Sequence, residues 1–167
     1  EEAVAIYNKY PNNMLGIVTD VSFKRAGEKD KKAGLKFCSY IREKDEFLPI
    51  IIESSEVENQ KDAMFLNACF LDKNSKKLPV DLRKTILRNF GFGDFEFINP
   101  HTGEVIATVR NLKDLQNTIM SIPDESLYYH GSRNHISRWL YSRAMFPIAE
   151  LLRQKQFTDI SESQEMR

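Results

Sequence analysis

The sequence carries no excess of charge of either sign: 24 Lys and Arg balance 24 Asp and Glu among 167 residues. That balance removes the usual electrostatic case for wholesale nucleic-acid binding. No apolar run approaches the ~18 residues that a membrane-spanning helix needs, and no basic-then-apolar signal segment opens the chain. Neither a nucleic acid nor a membrane is therefore expected as a partner. Cysteine is scarce. Cys38 and Cys69 form no CxxC pair, and their apolar surroundings point to reduced, buried thiols in the cytoplasm rather than a disulfide or metal framework. Internal repeats and low-complexity segments are lacking too. What is present, 41% hydrophobic and 29% charged residues, suits one ordinary globular domain or two small ones.

Hydrophobic patterning divides the chain. Residues 1–10 have the spacing of an amphipathic helix without a preceding N-cap, so the chain is expected to start inside a domain, as part of something longer. Met14 to Thr19, Leu48 to Ile52 and Ala68 to Leu71 are short apolar runs that suit buried strands, with Pro49 at a strand start. Helical spacing at 33–44, 57–66 and 78–89 separates and follows them. Alternating helices and strands imply a parallel sheet with right-handed crossovers, whose functional groups gather at the carboxyl edge.

The pattern changes at Phe90–Phe95, where two glycines intervene. Phe95 to Ile98 and Glu104 to Val109 read as strands of a hairpin joined by Asn-Pro-His-Thr-Gly. Leu112 to Ile122 reads as a helix capped by Asn111, and a further helical region from Pro123 is expected to be divided by Gly131 and Pro147. The expected organisation is an α/β domain over 1–90, a small α+β region (hairpin plus helices) over 91–160 and a flexible tail over 161–167.

Three chemistry-bearing residues follow the three predicted parallel strands: Asp20, Ser54 and Lys73. A carboxylate, a hydroxyl and an ammonium at one sheet edge make a phosphoryl-handling set. The carboxylate acts as nucleophile, the hydroxyl bonds a phosphoryl oxygen and the lysine neutralises charge. Each residue singly is an ordinary loop residue; their order on successive strands raises the functional reading.

With these residues in place, roughly residues 1–89 resemble the receiver domain of bacterial two-component response regulators. The resemblance implies a partial flavodoxin-like fold lacking its first strand, helix and strand. It puts Asp20 in the phosphoacceptor place, Ser54 in the Ser/Thr place with the small Ser55 after it, Lys73 in the place of the lysine, and Gly34-Leu35 at the start of the next helix. It also implies a histidine kinase or small phosphodonor as partner, and Mg²⁺ held by Asp20 with an acidic pair from the missing strand. Asp20 alone supplies one carboxylate, so the Mg²⁺ site is expected to be incomplete here unless Glu53 or Asp72 contributes. An exposed strand edge left by the missing part is expected to favour self-association into a homo-oligomer.

The chain departs from the receiver pattern in two places. Ser22-Phe23 replaces the usual Met-Pro and leads into a basic insertion, Lys24 to Lys32, with Lys24, Arg25, Lys29, Lys31 and Lys32 against two acidic residues. It reads as a solvated loop ahead of a ligand or partner contact. Asn74 stands where a proline normally follows the lysine. More particular segments, including LGIVTDVSF, FLDKNS, NFGFGDF and IPDESLYYHGSRNHISRWL, look like the amino-terminal region of large bacterial proteins. In those proteins a receiver-like module is joined to a phosphoenolpyruvate synthase-like, pyruvate/phosphate-dikinase-type enzyme module.

The histidines offer a weaker alternative. His130 and His135 are five apart, off the spacing at which two helical imidazoles share a metal, and structural hydrogen bonding is the simpler reading. No G-x-S-x-G elbow accompanies Ser132 or Ser137, and Arg133, Arg138 and Arg143 recur every five residues, which makes no single helical face. The expectation is a non-enzymatic, phosphorelay-type regulatory module of a larger protein, with Asp20 as phosphoacceptor. The competing expectation is a pseudo-receiver that only binds proteins; a hydrolase or metalloenzyme built on the histidines ranks third.

Overall fold

A computed structural model describes residues 2–25, 27–154, 157, 159–164 and 167. The chain forms two compact units, Glu1–Asn89 and Phe90–Arg167.

The first unit is a mixed α/β structure around a three-stranded parallel sheet. Helix α1 (Glu2–Lys9) and a single 3-10 turn precede strand β1 (Ile17–Asp20). A two-stranded antiparallel ribbon follows, β2 (Phe23–Arg25) and β3 (Glu28–Asp30), then helix α2 (Ala33–Arg42). Strand β4 (Ile50–Ser54), helix α3 (Asn59–Phe65), strand β5 (Cys69–Asp72) and helix α4 (Leu78–Asn89) complete it. The sheet order is β1-β4-β5, with Asp20 beside Glu53 and Ser54 beside Asp72.

The run of isoleucines explains the central place of β4. Ile50, Ile51 and Ile52 are all buried, so both faces of that strand are covered. Tyr7, Val21, Leu35, Cys38, Ile41, Leu48 and Ala63 pack with Ile50 and Ile52 into one core. β1 is less covered than a strand buried on both faces: Val18 is 43% exposed. Among the described residues β1 pairs with β4 alone and lies at the edge of the sheet. The basic insertion is likewise not a loop: its residues pair as β2 and β3, ahead of α2. Arg42 ties this unit together from the end of α2. Its guanidinium donates to the carbonyls of Asp45, Leu48, Leu66 and Asn67, so one side chain anchors the segments that enter β4 and β5.

The second unit pairs β6 (Phe95–Ile98) with β7 (Val105–Val109) in an antiparallel hairpin, packed with five helices: α5 (Leu112–Ile119), α6 (Asp124–Ser132), α7 (His135–Tyr141), α8 (Phe146–Gln154) and α9 (Ile160–Gln164). Asn99 makes the hairpin turn, its Oδ1 accepting from the N–H groups of His101 and Thr102, while Gly103 supplies the left-handed residue at φ 75°. Asn111 caps α5 through a bond from the Asp114 N–H to its Oδ1, at 2.9 Å. The core comprises Phe95, Phe97, Val109, Leu115, Ile119, Ile122, Leu127, Ile136, Trp139, Leu140 and Ala149.

The helical region breaks at residues other than those expected. Gly131 lies inside α6, and Pro147 is the second residue of α8, where its missing N–H has no helical partner to lose. The breaks fall at Asn134 and Ala144, each in the left-handed region at φ 58°. Burial of Gly131 and its neighbours offsets the ~1 kcal/mol that a glycine costs within a helix. In the tail, expected to be flexible over 161–167, α9 forms. Arg167 donates to the carbonyls of Ile119 and Ile122 and pairs with Asp124 at 2.6 Å.

Candidate functional site

Asp20 ends β1, Ser54 ends β4 and Lys73 immediately follows β5, so all three positions lie at the carboxyl end of the parallel sheet. Lys73 crosses the central strand: its Nζ donates to Asp20 Oδ2 at 2.5 Å. Both side chains stay partly open to solvent, 35% for Lys73 and 43% for Asp20. The Lys73 N–H also donates to the Ser54 carbonyl, which carries the ladder one residue past β5 and aims the lysine along the sheet edge.

Partial burial pushes the Asp20 carboxyl up. Hydrogen bonds from Lys73 and from the backbone N–H groups of Ser22 and Val21, together with the lysine charge, outweigh it and hold the group below its ordinary value. The carboxylate is therefore ionised at neutral pH, and its negative charge is balanced by one fixed cation.

Ser54 is 5% exposed and serves its own loop. Its Oγ accepts from the Glu56 N–H at 3.1 Å and from Asn59 Nδ2 at 2.9 Å, a local turn that also steadies the start of α3. These bonds use the oxygen's lone pairs and leave its own proton for donation. The structure thus joins Asp20 and Lys73 directly, while Ser54 is linked to Lys73 through backbone. Asn74, at the position where a proline was the pattern, bridges the two loops instead: its Nδ2 donates to the Ser55 carbonyl at 2.9 Å.

Ser22 and Gly34, named in the sequence for other reasons, also touch the Asp20 segment. Ser22 donates its N–H to Asp20 Oδ1 at 3.5 Å, and its buried Oγ has no hydrogen-bond partner among the described residues. Gly34, at the start of α2, donates its N–H to the Val21 carbonyl at 2.9 Å and lies against the Asp20 backbone. An Asp followed two residues later by Ser is a recognisable Asx-turn signal; the Gly34 approach has no local signal at all.

A divalent cation of the Mg²⁺ type needs several oxygen ligands. Among the described residues no group of three or more His, Cys, Asp or Glu side chains is placed to hold a metal ion. Glu53 lies beside Asp20 in register, but Asp72 uses its Oδ1 to accept the Asn74 N–H, and the Asp20 carboxylate faces an ammonium. Among the described residues these side chains alone do not supply the several oxygen ligands that such an ion takes.

The histidines form a different constellation in the second unit. His130 Nε2 accepts from the Ile98 N–H at 3.1 Å, which assigns its proton to Nδ1. That Nδ1 faces His135 Nδ1 at 3.1 Å, so His130 donates and His135 accepts. Burial, with the Arg133 charge, lowers His130 to about 4; burial, with His130, Arg138 and Arg133, lowers His135 to about 3. Both imidazoles are neutral at pH 7 and link β6 to α7. Cys38 is buried, and desolvation raises its thiol to about 11, so it is no nucleophile at neutral pH. No helix among the described residues is long and apolar enough to cross a membrane. No protein-family model matches the chain, and neither a curated protein nor a solved structure matches it.

Proposed function

We propose that the first unit is a receiver-like regulatory module of the flavodoxin-like class in which Asp20 accepts a phosphoryl group. The observation that supports this reading is the Lys73–Asp20 pair, which spans the central strand at the carboxyl edge while remaining accessible. A carboxylate oxygen of Asp20 attacks phosphorus in a phosphohistidine or a small acyl phosphate. The bond from phosphorus to the donor breaks, its electron pair leaves with the donor, and an aspartyl phosphate results. Lys73 then offsets charge on the phosphoryl oxygens, and the Ser54 proton is donated to one of them. The change in Lys73 partner, from carboxylate to phosphoryl, couples the state of β1 to that of β5.

A specific observation favours a second reading, a protein-interaction module that never carries phosphate: Asp20 is already neutralised by Lys73, and no metal-holding group accompanies it among the described residues. Incubation with acetyl phosphate and Mg²⁺, followed by intact-mass measurement, separates the two. Slow gain of one phosphoryl group, absent from Asp20→Asn, is the outcome expected of a phosphoacceptor. No gain under any donor concentration, with the fold intact, leaves the interaction module. In parallel, Lys73→Met is expected to raise the Asp20 carboxyl towards its ordinary value, read by NMR titration, at a stability cost below about 1 kcal/mol for so exposed a pair.

A further inference from the structure

The β2–β3 ribbon sorts its charges by register. Phe23 faces Asp30, Lys24 faces Lys29 and Arg25 faces Glu28. Strand alternation therefore puts Lys24 and Lys29 together on one face, with the acidic positions on the other. Asp30 is used there: it pairs with Lys36 at 2.8 Å and accepts the Lys32 N–H. Lys24 and Lys29 are exposed and have no ion pair among the described residues, and like charges directly opposite each other destabilise a ribbon. Lys31 and Lys32, also exposed, extend the cationic surface beyond β3. A two-stranded ribbon with repulsion built into its central pair is stabilised by an external anion.

We propose that the Lys24/Lys29 face of this ribbon docks a carboxylate-rich segment of a partner protein. Charge complementarity and size select that occupant. The chain as a whole is neutral, so the attraction is local and fades within the ~8 Å screening length of physiological salt. With Lys31 and Lys32 the exposed lysines number four, the lower end of the clusters that recruit anionic lipid surfaces, so tighter binding to anionic vesicles than to the peptide would overturn the proposal. Phe23, the ribbon's aromatic, lies on the opposite face by register, so the lysine face offers no platform on which single-stranded bases stack. A short acidic peptide matches what is left: two ammonium groups on adjacent strands, able to receive carboxylates spaced along an extended chain. The ribbon starts three residues after Asp20, and helix α2 beyond it is bonded back to the Val21 carbonyl by the Gly34 N–H. Docking needs no phosphate on Asp20.

The test uses the full chain and fluorescence anisotropy of two labelled probes, an oligoglutamate peptide and a single-stranded DNA of equal charge. The peptide is expected to bind at low salt, to weaken steeply as salt rises, and to lose about tenfold in affinity with Lys24→Glu/Lys29→Glu. The single variant Lys24→Glu guards against misfolding, since it replaces a repulsive cross-strand pair by an attractive one; it is expected to keep the native circular dichroism yet bind several-fold more weakly. Lys84→Glu on α4 is expected to bind as the unaltered chain does. The proposal is overturned if the peptide does not bind at low salt, if Lys84→Glu weakens it as much as Lys24→Glu, or if the DNA binds more tightly than the peptide.

Discussion

A Cβ atom on residue 34 would lie 1.8 Å from the Asp20 carbonyl oxygen, so only glycine lets α2 close against the backbone that carries the candidate phosphoacceptor. The Gly34 N–H to Val21 carbonyl bond, at 2.9 Å, depends on the same approach. Gly34→Ala forces backbone apart at a point where no flexible side chain can yield. It is expected to destabilise the first unit by roughly 2 kcal/mol or more. Urea unfolding followed by circular dichroism checks this; a loss below about 0.5 kcal/mol would mean that α2 and β1 are not held together as described.

The histidine pair makes the second unit acid-sensitive. In the unfolded chain both imidazoles take up protons near pH 6.5, whereas in the fold they stay neutral down to about 4 for His130 and about 3 for His135. Between those limits the unfolded state binds more protons, so stability is full above about pH 6.5 and falls as pH drops towards 4. The slope reaches up to about 1.4 kcal/mol per pH unit for each histidine. Trp139, the single tryptophan and buried in this unit, reports the transition by fluorescence. His135→Asn keeps an acceptor for His130 Nδ1 but removes one titration, and is expected to flatten the pH dependence; an unchanged slope would refute the assignment.

Arg143 clamps the two-glycine segment that opens the second unit. Its Nη1 donates to the Gly91 carbonyl and its Nη2 to the Gly93 carbonyl, both at 2.7 Å, while the guanidinium lies 3.9 Å from the Trp139 ring centroid. A lysine retains the charge but not the fork or the flat stacking surface. Arg143→Lys is expected to cost about 2 kcal/mol and to shift the Trp139 emission. Retention of both the emission and the thermal midpoint would show the clamp to be dispensable.

Much of the secondary structure was legible because it is locally determined. Three consecutive isoleucines allow no polar face, which marks β4 as central; Asn111 three residues before Asp114 marks a helix start; Asn99 to Gly103 has the chemistry of a hairpin turn. The β2–β3 ribbon was not legible. Its residues show charge without apolar alternation, and they pair because Val21 and Gly34 bring the two ends of the segment together. Nor were the helix breaks at Asn134 and Ala144, since a left-handed residue outside glycine is tolerated only where packing of α6, α7 and α8 requires the turn.

By itself, then, the sequence located three parallel strands, each expected to start and end slightly earlier than β1, β4 and β5 do, and the arrival of a carboxylate, a hydroxyl and an ammonium at strand ends. Tertiary structure shows how they meet. Lys73 reaches Asp20 across 53 residues of chain and one intervening strand, whereas the Ser54 hydroxyl is captured by its own loop. It also decided the tautomer of His130 and the contact of Gly34 with Asp20. The physical reason is common to all of these: local pattern specifies backbone conformation over a few residues. Side-chain partners and backbone approach depend on where distant segments lie once the core has closed.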